Sequence, residues 1–210
     1  AAGVGAMARR PVPLPRVEPF TIPGPAGDIP ARLWASTHDK DLPVFLYLHG
    51  GGFVVGGIDT CEAMCSQVAH QSGAAVVAID YRLAPEHKYP AGLEDCMAAL
   101  RWLVEHGHTQ HLDASRMAVG GDSAGGTLAA ILAVVARDAE IPLKLQALFY
   151  PSVQVGVRTE SFMTYGRATF LNAELMKWFE NHAQGGHLSE RWHREPLHAP
   201  DHRGVAPAWI

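Results

Sequence analysis

Paired cysteines, an excess of positive charge and a long apolar run are all missing from this chain of 210 residues. Its three cysteines, Cys61, Cys65 and Cys96, are an odd and sparse set. They argue against a disulfide framework and for a reducing compartment. Lysine plus arginine number 17 against 21 aspartates plus glutamates, a net charge of -4. That balance offers no footprint for nucleic acid or anionic lipid. No stretch reaches the roughly 18 uninterrupted apolar residues of a membrane span. The N-terminus has a basic pair, Arg9-Arg10, after small residues and no apolar run behind it, so it does not read as a secretory signal. A cytoplasmic protein is the expectation, with Met7 as a candidate initiator behind a leader.

What the chain does have is apolar content and turn residues. An apolar share of 48% suffices for one large core, and 21 glycines with 15 prolines imply many tight turns. Prolines crowd residues 11–30, which restricts that stretch to extended pieces, with two edge strands near 17–22 and 31–35. Val44-Phe45-Leu46-Tyr47-Leu48 is apolar without alternation and stops at a glycine cluster, as a strand buried on both faces should. A helix follows, capped by Asp59 or Thr60, with Cys61, Met64, Cys65 and Val68 on its packing face. Residues 74–79 form the next buried strand, ending at Asp80. Pro90 opens a second helix with the stripe Leu93, Met97, Leu100 and Val104, ending near Gly107. A short strand over 116–120, a helix from Ala124 burying Leu128, Ile131, Leu132 and Val135, and a strand over 143–150 complete the rhythm.

This alternation specifies an α/β fold, a mostly parallel sheet with helices on both faces, which binds ligands at the carboxyl ends of its strands. Residues 152–200 break the rhythm with a polar stretch, an amphipathic helix near 173–182 and a segment rich in His and Arg. They read as an insertion over the sheet. The expected organisation is a leader over 1–16, a core over 17–151, the cap insertion over 152–200, and the start of another core strand over 201–210.

Gly121-Asp122-Ser123-Ala124-Gly125 falls between a strand and a helix. A serine on such a turn has strained backbone angles, and only very small residues two positions to either side let the chain close. Alone, the pattern is compatible with Ser123 as an ordinary helix N-cap. His49-Gly50-Gly51-Gly52-Phe53 is a second motif, directly after the first buried strand. Its glycines let amides crowd round an oxyanion without Cβ obstruction, and Gly51 and Gly52 with the amide of Ala124 would make three donors. The rival is a phosphate-binding turn with Asp80 on a ribose, and it fails at Val55, where a third glycine is needed. His187, His193, His198 and His202 lack the spacing or partners of a zinc site and read as solvated surface. No metal, nucleotide or other cofactor is implied. Asp122 reads as the acceptor of local hydrogen bonds that hold the turn, and Glu86 as a structural brace paired with Arg82.

With both motifs in place, the sequence resembles the hormone-sensitive-lipase-like esterases of the α/β-hydrolase superfamily. The resemblance runs from about Ile22 onward and takes in Asp80-Tyr81-Arg82-Leu83-Ala84-Pro85-Glu86-His87, Phe149-Tyr150-Pro151 and Val205-Ala206-Pro207-Ala208. It implies the α/β-hydrolase fold, Ser123 as nucleophile, Gly51, Gly52 and Ala124 as the oxyanion hole, and His49 as a structural residue. It also implies a small-molecule ester with a short acyl chain as substrate. Family members usually carry a longer N-terminal helical cap than residues 1–20 can supply, so 1–16 is a leader or a cap remnant.

In that family the acid and the base follow the strand that begins here near Val205. They are therefore expected beyond residue 210, together with a C-terminal strand and helices. The histidines after Ser123, with His182 the first, lie in the insertion or at its exit. Two readings follow: a serine carboxylesterase, or a truncated or non-catalytic relative that lacks acid and base. The 210-residue chain alone is expected to be a poor esterase. Its open sheet edge, near Trp209 and Ile210, would favour a homo-oligomer or a complementary C-terminal fragment.

Overall fold

A computed structural model describes residues 10–157, 159–167, 171–185 and 190–210, so Met7 and His187 lie outside the described residues. The apolar runs become the middle of one sheet. Strand β3 (Leu42–Leu48) buries Val44 to Leu48 without a break, and β4 (Ala75–Ile79) is buried throughout. β3 lies parallel to β4 on one side and to β5 (Leu112–Asp122) on the other, and β6 (Leu143–Phe149) runs parallel to β5. Strands apolar on both faces need cover on both, and three helices supply it. Leu46 and Leu48 pack with α2 (Ala91–His106) and α3 (Ala124–Asp138), through residues such as Leu100, Leu103, Leu128 and Ile131. Phe45 and Tyr47 face the other way, onto Ile58, Cys61, Cys65 and Ala69 of α1 (Ile58–Ser72). The two cysteines are core packing, their sulfurs 3.7 Å apart, and all three thiols are free and buried.

The N-terminal strands are longer than expected, and one of them is not an edge. β1 (Arg16–Gly24) and β2 (Gly27–Ala35) form an antiparallel hairpin, and the sheet order is β1-β2-β4-β3-β5-β6 followed by a last short strand. β2 thus lies inside the sheet, antiparallel to β4. Its proline is tolerated because the β2–β4 ladder runs only from Ala31 to Trp34, just past Pro30. Pro19 and Pro23 sit on β1, the true edge.

Smaller departures have local causes. Helix α1 starts two or three residues before the expected cap: Gly57 is the N-cap, and the Thr60 hydroxyl accepts from the Gly57 amide at 3.1 Å. Asp59 instead pairs with Arg32 at 2.9 Å. Helix α2 buries Leu93, Cys96, Leu100 and Leu103 and leaves Val104 exposed, so its stripe is rotated from the expected one. β5 also begins four residues early, at Leu112.

Between β6 and the last strand, β7 (Ala208–Trp209), the chain forms α4 (Glu160–Tyr165), α5 (Ala173–Ala183) and two 3-10 turns. α5 meets the expectation from its pattern; α4 was not foreseen. Their caps are side chains, Thr159 accepting from Phe162 and Asn172 from Leu175. β7 pairs with β6 over two residues only, where the sequence suggested a strand from Val205. No described helix is long and apolar enough to cross a membrane.

Candidate active site

The carboxyl ends of β3 and β5 lie side by side, Leu48 opposite Gly121, so the two glycine motifs leave the sheet next to each other. Ser123 links β5 to α3 at φ 52 and ψ -118, a region that a residue with a Cβ rarely occupies. Its amide donates to the carbonyl of Phe149 at 2.9 Å, and its carbonyl accepts from Thr127 at 3.0 Å. The turn closes because Gly121 and Gly125 carry no side chain. A Cβ on Gly121 would stand 2.2 Å from the Leu48 carbonyl oxygen, and one on Gly125 only 1.9 Å from the same atom.

The neighbouring loop is as constrained. Gly51 sits at φ 127 with its carbonyl accepting from the amides of Val54 and Val55, and Gly52 at φ 60. A Cβ on Gly51 would meet the Val55 carbonyl oxygen at 1.8 Å, so a bulkier residue there distorts the loop as well as any anion site. The amides of Gly51, Gly52 and Ala124 have no acceptor among the described residues. Ala124 is the first residue of α3, where the helix leaves its amides unclaimed and its dipole favours negative charge.

Asp122 does more than hold its own turn. Its Oδ1 accepts from the Gly50 amide at 2.9 Å and from the buried Tyr47 hydroxyl at 2.8 Å. Burial, and then the Asp122 charge, push the Tyr47 phenol well above its ordinary value, so it serves as a donor. The carboxylate therefore ties the glycine loop to the serine turn from across the sheet, where the sequence suggested only local bonds. Replacing Asp122 by alanine leaves the buried Tyr47 hydroxyl and the half-buried Gly50 amide without their acceptor and should cost about 2–3 kcal/mol. Asp122→Asn keeps an acceptor oxygen and should cost clearly less. Urea midpoints of the two variants check this, and equal losses would remove the carboxylate from that role.

His49 is buried, with its ring stacked on Tyr81 at 4.3 Å between centroids and 10° between planes. Its Nδ1 donates to the Gly50 carbonyl at 2.8 Å, and Nε2 has no partner. The Tyr81 hydroxyl donates to the His49 carbonyl at 2.6 Å. Burial lowers the His49 pKa, because a proton on Nε2 would find no acceptor. The folded protein thus binds fewer protons here than the unfolded chain, and stability is lost as pH falls below about 6.5. His49→Asn should flatten the fall in unfolding free energy between pH 7.5 and 5.5. An unchanged slope in that variant would show that His49 does not drive it.

Arg82 pairs with Asp95 rather than Glu86, a correction to the expected brace. Its Nε lies 2.9 Å from Asp95 Oδ2, its backbone amide donates to the same carboxylate, and its Nη2 also reaches Glu94 at 3.2 Å. Glu86 stands exposed on a turn. Asp80 accepts from the Ile58 amide at 2.7 Å and so anchors the start of α1.

The late histidines are engaged away from Ser123. His182 Nδ1 lies 2.8 Å from the Trp178 carbonyl, His198 Nε2 lies 3.4 Å from Glu195, and His202 Nε2 lies 2.9 Å from the Pro196 carbonyl. The His193 ring packs against Trp192, with centroids 4.1 Å apart and planes tilted by 59°, and His187 is outside the described residues. Among the described residues no side chain hydrogen-bonds the Ser123 hydroxyl. Sequence reasoning missed Tyr47, Tyr81 and Phe179, which support or cover the loops from other elements, and nothing in the local pattern marks them.

Comparison with known proteins gives the context of these two loops. Residues 45–210 match a family described as having the alpha/beta hydrolase fold. Esterase LipI of Mycobacterium tuberculosis is 51% identical over 151 residues, 70% of this chain and 47% of that protein. An ethyl acetate hydrolase of Pseudomonas putida is 40% identical over 157 residues, 72% of this chain and 49% of that protein. The structure of an esterase from Pyrobaculum calidifontis superimposes with a TM-score of 0.87 at 40% identity, covering 93% of this chain and 66% of that one. The chain thus spans about half the length of the curated relatives named here.

Proposed function

The chain belongs to the α/β-hydrolase family, and from that premise we propose that it forms the nucleophile and oxyanion site of a serine carboxylesterase acting on short-chain acyl esters. The observation that carries the reading is the strained Ser123 beside the three unclaimed amides of Gly51, Gly52 and Ala124. In the proposed reaction Ser123 Oγ forms a bond to the ester carbonyl carbon and gives its proton to a base. The carbonyl π pair moves onto oxygen, where the three amides stabilise it. Collapse breaks the bond to the alkoxy oxygen, which leaves as the alcohol after protonation. Water then attacks the acyl-serine by the same route and releases the carboxylic acid. None of His182, His198 and His202 is assigned as the base, since each is bonded elsewhere; the resemblance assigns acid and base to positions after β7.

The names of the relatives support small esters as the substrate class, one of them being an ethyl acetate hydrolase. Three free, buried thiols fit a reducing compartment, and the cytoplasm is the assigned location. Residues 152–200 act on this reading as a cap over the site. Full-length protein mixed with p-nitrophenyl butyrate tests the function. A burst of p-nitrophenol matching the enzyme concentration, followed by steady release, is the expected result. Absence of any ester cleavage would favour the non-catalytic alternative.

A further inference from the structure

We propose that Tyr81 is a positioning residue for the oxyanion hole, acting through His49 to aim the amide of Gly51, an inference that rests on the esterase reading above. A peptide unit is planar and trans, so its carbonyl and its N-H point opposite ways, and whatever grips the one aims the other. The amide of Gly52 is aimed from within the loop, because the Gly51 carbonyl of the same peptide accepts from the amides of Val54 and Val55. The amide of Gly51 depends instead on a side chain. Its peptide partner, the Gly50 carbonyl, accepts from His49 Nδ1 at 2.8 Å. Gly56 leaves the room for that bond, since a Cβ there would stand 2.5 Å from the Gly50 carbonyl oxygen and 2.8 Å from His49 Nδ1.

Tyr81 grips His49 by both its ring and its backbone. The two rings lie flat on each other with centroids 4.3 Å apart, and the Tyr81 hydroxyl donates to the His49 carbonyl at 2.6 Å. Burial pushes the phenol well above its ordinary value, so it keeps the proton it donates. The Tyr81 ring is seated against α2, where a Cβ on Gly92 would meet its Cδ2 at 3.0 Å. The guanidinium and the amide of Arg82 are both bonded to the buried Asp95 of the same helix. The Ala84 amide then donates to the Phe53 carbonyl at 2.9 Å. Residues 81–84 thus hold the glycine loop at both ends, at His49 and at Phe53, from a segment that is itself fixed to α2.

The test is Tyr81→Phe in the full-length protein, which keeps the ring and removes only the hydroxyl. Acylation and deacylation both pass through an oxyanion, so kcat and kcat/KM for p-nitrophenyl butyrate should fall together by about tenfold with KM unchanged. The fall is smaller than the roughly 100- to 1,000-fold of a deleted donor, because the Gly51 amide is misaimed rather than lost. His49→Leu, which removes the donor to Gly50, should show the same split and serves should Tyr81→Phe fail to fold. A rise in KM alone, or parameters within about twofold of wild type, would overturn the role of Tyr81. Fluorophosphonate labelling of the wild type runs in parallel. A wild type that does not label would sink the esterase reading and this inference with it, whereas a wild type that labels leaves any failure with Tyr81 alone.

Discussion

Turnover of a short ester is expected to fall roughly a millionfold when Ser123 is replaced by alanine, the scale seen when a serine nucleophile is removed from a triad. A residue of activity over water should survive, because Gly51, Gly52 and Ala124 still bind the developing oxyanion. Stability separates two variants that are equally inactive. Alanine inherits the strain of φ 52, whereas glycine tolerates it. Strain of that kind is worth about 1–3 kcal/mol, and glycine gives back about 0.5–1 kcal/mol as greater freedom of the unfolded chain. Ser123→Gly should therefore unfold at a higher urea midpoint than Ser123→Ala, by about 1 kcal/mol, with both inactive. Activity retained in either variant, or equal midpoints, would contradict the picture of a strained nucleophile.

The second large effect concerns Gly125. A methyl group there would lie 1.9 Å from the Leu48 carbonyl oxygen and 2.6 Å from that of His49, both backbone atoms at the end of a central strand. Neither can yield without parting β3 from α3. Gly125→Ala should cost about 3 kcal/mol, the upper end of ordinary overpacking. It should also displace the glycine loop that follows His49. Gly107 provides the contrast: its φ is -55 and the nearest atom to an added Cβ is 3.6 Å away. Gly107→Ala should be neutral or stabilise by about 0.5 kcal/mol. Similar losses at both positions would show that chain freedom, not the close approach to Leu48, makes glycine necessary at 125.

What could be read from the chain was what depends on near neighbours. The strand, turn and helix around Ser123 are set by residues within a few positions, so Gly121 and Gly125 announced them, and the unalternating runs at 44–48 and 74–79 announced the buried parallel strands β3 and β4. Contacts between distant residues were silent. Nothing near Pro30 shows that β2 will pair with β4, because that depends on which edge the hairpin finds. Arg82 had an acidic residue four positions on in Glu86, yet the helical turn brings Asp95 and Glu94 to it. Asp122 was read as a local brace, whereas its bonds reach Gly50 and Tyr47 on the neighbouring strand and its loop. Phe179 lay in a segment whose placement over Gly52 follows from packing of the whole β6–β7 connection.

The most direct measurement is the mapping of a fluorophosphonate adduct on the full-length protein by peptide mass spectrometry. One adduct per chain, on Ser123 and absent from Ser123→Ala, is the predicted result. An adduct on another residue, or none in protein that cleaves p-nitrophenyl butyrate, would contradict the assignment of Ser123 as the nucleophile.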